Sequence, residues 1–121
     1  MTTILHITSM PEWQTALDVG AYRAPSLEKD GFIHCSTREQ VLPVANNFYR
    51  GQTDLVLLVI DTNKLTAPLK FEGPINPQTG QPETDVHDLF PHVYGAINLD
   101  AVTKIVPFPP NVDGTFTLPK I

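Results

Sequence analysis

Hydrophobic and polar positions alternate with period two in several short stretches, and this alternation marks the extended segments. Ile4 to Thr8 reads as a strand in which Leu5 and Ile7 face the core, with Ile4, His6 and Thr8 on the other side. The period then changes to that of a helix. From Met10 to Gly20, Ser9 can cap, Pro11 suits the first turn, Trp13, Ala16 and Leu17 share a face, and Gly20 is a stop. An irregular stretch through Pro25 leads to a second strand, Phe32 to Ser36. Ser36 or Thr37 can cap a second helix running to about Tyr49, with Val41, Val44, Ala45 and Phe48 on one stripe. Pro43 falls inside that stripe and predicts a kink or break.

The run Asp54 to Ile60 (DLVLLVI) is apolar without alternation, the pattern of a strand buried on both faces. Pro68 to Glu72 reads as a short strand. Residues 73–89 hold Pro74, Pro77, Gly80 and Pro82 among polar neighbours, which predicts a mobile loop of the kind that often serves as a functional lid. His92 to Asn98, Thr103 to Phe108 and Thr115 to Leu118 complete a strand-rich second half. The class expected is α+β: two short helices in the N-terminal half and a largely antiparallel sheet.

The 121 residues form one domain on this reading, residues 1–121. Eight basic and thirteen acidic residues give a formal charge of −5, which disfavours bulk nucleic acid and anionic membrane as partners. The longest apolar run, Leu55 to Ile60, is far short of a membrane span, and the N-terminus lacks a signal-peptide pattern. Cys35 is the only cysteine, so no intrachain disulfide can form, and the expected location is cytoplasmic.

Candidate chemistry centres on histidine. His6, His34 and His92 each lie in a separate extended segment, flanked by apolar residues of opposite parity: Leu5 and Ile7, Ile33 and Cys35, and Val93. If those segments are neighbours in a sheet, the three imidazoles line one cleft, with Tyr94 on the face of His92. Three readings stand. Each histidine can be a hydrogen-bonded, half-buried residue; the three can form a zinc-type shell with an open position, although no His-x-x-x-His pair is present; or they can bind the ribose or phosphate oxygens of a ligand. The parity of Cys35 places it with Ile33, which makes it an inert core thiol rather than a nucleophile. Glu72, before the proline-rich stretch, is either a solvated carboxylate or a catalytic one. No P-loop, dinucleotide-binding glycine pattern or Gly-x-Ser-x-Gly elbow is present.

The combination Leu5-His6-Ile7-Thr8, Trp13, Tyr22, Asp30-Gly31-Phe32-Ile33-His34-Cys35-Ser36, Phe90-Pro91-His92-Val93-Tyr94-Gly95 and Asp113-Gly114 resembles the small bacterial proteins of domain-of-unknown-function family 952. The resemblance spans residues 4 to about 118 and implies a fold similar to the ADP-ribosyltransferases, a split β-sheet clasping NAD between two small sheets. On that resemblance His6 is the NAD anchor of the first motif strand, and His34, Ser36 and Thr37 match the second. The third motif commonly carries a Glu that stabilises the oxocarbenium-like sugar as the glycosidic bond breaks. Here it offers His92 and Tyr94, with Glu72 available from an adjacent strand. This is closer to the branch that resembles RNA 2′-phosphotransferases, and Arg23, Arg38 and Arg50 are the only arginines.

The resemblance therefore implies an NAD- or ADP-ribose-binding protein with transferase activity. Its catalytic candidates are His34, His92 and Glu72. Its cofactor-binding candidates are His6, Ser36, Tyr94 and Tyr22, the tyrosines as stacking platforms. The alternatives are a non-catalytic module that binds a nucleotide-like small molecule or a protein partner, and a metal-dependent hydrolase with a three-histidine site.

Overall fold

A computed structural model of the chain describes residues 2–83 and 88–121. Eight strands and three α-helices follow one another as β1 (Thr3–Ser9), α1 (Met10–Val19), β2 (Ala21–Tyr22), α2 (Pro25–Asp30), β3 (Ile33–His34), α3 (Val41–Phe48), β4 (Leu55–Asp61), β5 (Leu69–Glu72), β6 (Phe90–Val93), β7 (Ile97–Asn98) and β8 (Val102–Pro107) among the described residues. All pairings are antiparallel and form three sheets: β1-β4-β8, β3-β6-β5 and the small pair β2-β7. This is a mixed α+β architecture with several antiparallel sheets and few helices. No helix among the described residues is long and apolar enough to cross a membrane.

The centre of the molecule is β4, whose seven residues are all buried. Its apolar run has no alternation because each face meets a separate core. Val56, Leu58 and Ile60 pack with Ile4, Trp13, Ala16, Tyr22, Ile33 and Val93; Leu55, Leu57 and Val59 pack with Leu5, Ile7, Val41, Ala45, Phe108 and Phe116. Strand β1 runs beside it in register, His6 opposite Leu58 and Leu5 opposite Val59, so both faces of β1 are covered too. The expectation of one core-facing side for β1 is corrected accordingly.

Helix α1 forms as its sequence directs. Ser9 Oγ accepts the Glu12 N–H, Pro11 occupies the first turn, and Gly20 at φ 97° donates its N–H to the Ala16 carbonyl in the left-handed cap that glycine tolerates. Trp13 and Ala16 are buried, but Leu17 is exposed, which narrows the expected apolar face. Helix α2 was not expected; Pro25 starts it and Gly31 ends it in a left-handed conformation. Helix α3 starts at Val41 rather than at Ser36 or Thr37. Ser36 pairs with Leu5, and the Gln40 side chain accepts the Thr37 N–H, closing a turn first. Pro43 consequently lies in the first helical turn, where its missing N–H has no partner to lose, so it neither kinks nor breaks the helix.

The segment expected as one strand from His92 to Asn98 is two. Strand β6 starts at Phe90 and pairs with β3 and β5; Gly95 then turns the chain, and β7 pairs with β2. Thr115 to Leu118 is not a strand. Phe116 N–H donates to Asn46 Oδ1, and its ring stacks on Phe108 at 4.8 Å. Of the expected mobile loop 73–89, residues 74–83 form a closed turn: Ile75 bridges Pro82, and the Glu83 N–H donates to the Pro74 carbonyl. The remainder of the expected lid, residues 84–87, lies outside the described residues.

Candidate functional site

The two three-stranded sheets meet at one bridge. Leu5 and Ser36 exchange both backbone hydrogen bonds, each 2.8 Å, which links β1 to the end of β3. The next rung of an antiparallel ladder would join Ile7 to the His34 carbonyl. Instead His6 Nδ1–H donates to that carbonyl at 2.6 Å, and the strands diverge. A side chain replacing a rung wedges the sheets apart, and a cleft opens along the split.

His6 holds the wedge rigidly. A carbonyl can only accept, so the neutral ring carries its proton on Nδ1 and its Nε2 accepts from the Tyr22 hydroxyl at 2.8 Å. The Tyr22 oxygen in turn shares a hydrogen bond with Thr8 Oγ1 at 2.9 Å. Burial keeps His6 neutral, lowering its pKa to about 4 against the raising effect of the His34 carbonyl. Burial also pushes the Tyr22 phenol up.

The outward face of the β3-β6-β5 sheet carries the second group of residues. His34 and His92 are direct cross-strand partners, as are His92 and Lys70, so all three share a face with Glu72 and Tyr94, while Ile33 and Val93 point to the core. The two imidazoles meet edge to face at 5.5 Å between centroids. Phe32, buried beneath them, stacks on His92 at 4.0 Å and touches His34 at 4.7 Å. Each imidazole is also held by a carboxylate: His34 Nε2 by Asp30 Oδ2 at 2.8 Å, and His92 Nδ1 by Glu72 Oε1 at 2.9 Å. Tyr94 Oη donates to the same Glu72 oxygen, and Lys70 Nζ lies 4.9 Å from the centre of the Tyr94 ring.

His92 is only 1% exposed, yet no fully buried side-chain nitrogen or oxygen among the described residues lacks a hydrogen-bond partner. Its Nε2 has no hydrogen-bond partner among the described residues and so is not fully buried, and His92 lines the cleft. Burial lowers the His92 pKa, partly offset by Glu72, so the ring is neutral near pH 7 with a free lone pair. Burial is the largest single influence on Glu72 and acts to raise its pKa, but the hydrogen bonds from Tyr94 and His92 and the charge of Lys70 together outweigh it and hold the carboxyl below its usual range. Burial and the bond to Glu72 push Tyr94 up to about 12.

The cleft has a volume of about 730 Å³, within the range of small-molecule sites. Thr8, Glu12, Ser26, Lys29, His34, Ser36 and His92 supply polar groups to its lining. Val44, Phe48, Tyr49, Ile75 and Phe90 add apolar and aromatic surface, and Phe48 is 74% exposed.

The structure thus brings His6, Tyr22, His34, Ser36 and His92 to one cleft. Glu72 and Tyr94 stand behind His92, off the cleft wall. His6 and Tyr22 edge the cleft but spend their polar atoms on protein partners, and Tyr22 is only 2% exposed, which does not fit a stacking platform. Cys35 is buried in the core cluster beneath the cleft lining, and burial raises its thiol pKa. No group of three or more His, Cys, Asp or Glu side chains among the described residues is placed to hold a metal ion. Both His6 nitrogens are already occupied, which argues against the three-histidine metal reading. Sequence reasoning missed Asp30, Phe32, Lys70 and Phe48. The i,i+4 spacing of Asp30 and His34 was a readable signal; the exposure of Phe48 was not.

The family described as "Protein of unknown function (DUF952)" matches residues 7–105. The crystal structure of protein CC0527 from Caulobacter crescentus is similar, at 32% identity and a TM-score of 0.80, over 97% of this chain and 95% of that one. The solution NMR structure of CC0527 gives 33% identity and a TM-score of 0.74 over 95% and 91%. No curated protein matches the sequence. With a family match over most of its length and this relative over nearly all of it, the chain belongs to the DUF952 family.

Proposed function

We propose that the cleft binds a nucleotide-like small molecule of the NAD or ADP-ribose class, and that the protein acts on it as a transferase of the ADP-ribosyltransferase-like kind. One observation carries this reading: His34, Ser36 and His92 converge on a single 730 Å³ cleft, with His92 Nε2 left without a partner among the described residues. Two three-stranded antiparallel sheets parted at one bridge agree with the split-sheet architecture. The polar lining residues suit ribose hydroxyls and phosphate, and the apolar and aromatic ones suit a planar heterocycle.

A thermal melt with NAD, ADP-ribose, NADP and nicotinamide, on the wild type and on His34→Ala, tests the binding. A ligand at a hundred times its dissociation constant adds about 2.7 kcal/mol, on the order of 10 °C for a chain of this size. A shift that vanishes in His34→Ala is expected; no shift with any of the four refutes the reading. The second reading, a binder without turnover, is favoured by Glu72 being committed to His92 and Tyr94 instead of lining the cleft. Release of nicotinamide from NAD separates the two.

A further inference from the structure

We infer that the cleft also carries a general acid–base pair, His92 and His34, that cleaves a short ribonucleotide phosphodiester by attack of its own 2′-hydroxyl. This activity stands whether or not NAD binds. The observations behind it are four. The two imidazoles are cross-strand partners whose rings lie 5.5 Å apart. Each is oriented through one nitrogen by a carboxylate, Glu72 or Asp30, and the other nitrogen has no partner among the described residues. Both line the same cleft as Lys29, Ser26 and Ser36, which supply one cation and two hydroxyls for a singly charged phosphate. Phe48 and Phe90, in the lining of the same cleft, accept a base.

The environments divide the roles. His92, stacked on Phe32 and buried, is placed as the base; His34, 45% exposed beside Asp30 and open to exchange with water, is placed as the acid. His92 Nε2 takes the proton of the 2′-hydroxyl as that oxygen attacks phosphorus. The bond from phosphorus to the 5′-oxygen breaks, and His34 Nδ1 gives that oxygen its proton. The products are a 2′,3′-cyclic phosphate and a free 5′-hydroxyl, with no change in oxidation state. The proton has moved from His34 to His92, and exchange with water resets both. The formal charge of −5 keeps the substrate short, because a polyanion is repelled.

The test uses uridylyl-(3′→5′)-adenosine and its 2′-deoxy analogue, with products followed by chromatography and ³¹P NMR. The wild type is expected to form the 2′,3′-cyclic phosphate, to leave the deoxy analogue intact, and to lose at least about 100-fold in rate in His92→Ala and in His34→Ala. Glu72→Gln, which keeps the shape but not the charge behind His92, is expected to lose about tenfold or more in kcat with KM little changed. Circular dichroism and melting of each variant establish that it is folded. Cleavage no faster than by the doubly substituted His34→Ala/His92→Ala protein overturns the proposal, as does equal cleavage of the deoxy analogue. Because this assay contains no NAD, its failure leaves the binding result of the melt untouched, and the reverse holds.

Discussion

Removing the Tyr22 hydroxyl isolates the wedge that opens the cleft. In Tyr22→Phe the ring still fills its place in the core, but His6 Nε2 loses its donor and Thr8 Oγ1 its partner. A buried acceptor left unsatisfied costs about 1–3 kcal/mol, so a loss near 2 kcal/mol is expected. At about 2.1 cal/mol/K per residue the unfolding entropy of 121 residues is about 0.25 kcal/mol/K, which converts that loss to a fall of about 8 °C in Tm. A double-mutant cycle with His6→Phe isolates the pair. The bond to the His34 carbonyl is lost in both arms that lack His6 and cancels, so the coupling reads the imidazole–phenol contact, expected at about 1–2 kcal/mol. Urea unfolding followed by the fluorescence of Trp13, the only tryptophan and itself buried, measures it, provided the slope with urea is unchanged. A coupling below about 0.5 kcal/mol, with Tyr22→Phe near wild-type stability, would refute the assignment of His6 and Tyr22 as a structural wedge.

Three further outcomes follow from the same packing. His6 has its folded pKa lowered from 6.5 to about 4, so between those pH values the unfolded chain binds the extra proton; stability therefore falls as pH drops through this window, by about 3 kcal/mol at most from this group, with His92 acting in the same direction. In His6→Phe, urea titrations from pH 7 to 4 are expected to be flatter, and an unchanged slope would show that His6 does not govern the loss. Cys35, buried and with its thiol pKa raised, is expected to resist an aromatic disulfide reagent in the native protein and to react fully in guanidinium; rapid native modification would contradict the packing. A Cβ at Gly95 would sit 2.9 Å from Ala67 Cβ, so Gly95→Ala is expected to cost about 1–3 kcal/mol by urea unfolding; adding Ala67→Gly should recover a good part of it, and no recovery would mean that backbone conformation, not the clash, is responsible.

Local pattern was enough for the elements whose signals are short-range. Ser9, Pro11 and Gly20 delimit α1 because capping acts within a few residues, and the unbroken run of β4 reports burial on both faces directly. Parity likewise placed Ile33 and Val93 inward and His34 and His92 outward, because a strand alternates whatever its neighbours are. The misreadings came where distant residues overrode the local signal. Pairing of Ser36 with Leu5 took away the expected cap of α3, and β2 captured Ile97 and Asn98 from the strand begun at Phe90.

Residue types and spacing alone thus determined an α+β chain with three histidines in separate extended segments, each flanked by apolar residues of opposite parity. Tertiary structure alone decided what each one does. His6 reaches a carbonyl 28 residues away and Glu72 reaches His92 across 20, contacts that no 2- or 3.6-residue period encodes. The same long-range packing committed His6 and Tyr22 to each other, left Nε2 of His92 without a partner among the described residues, and placed Phe48 in the lining of the cleft. Periodicity specifies which face a side chain occupies; only the closing of the sheets specifies what stands opposite it.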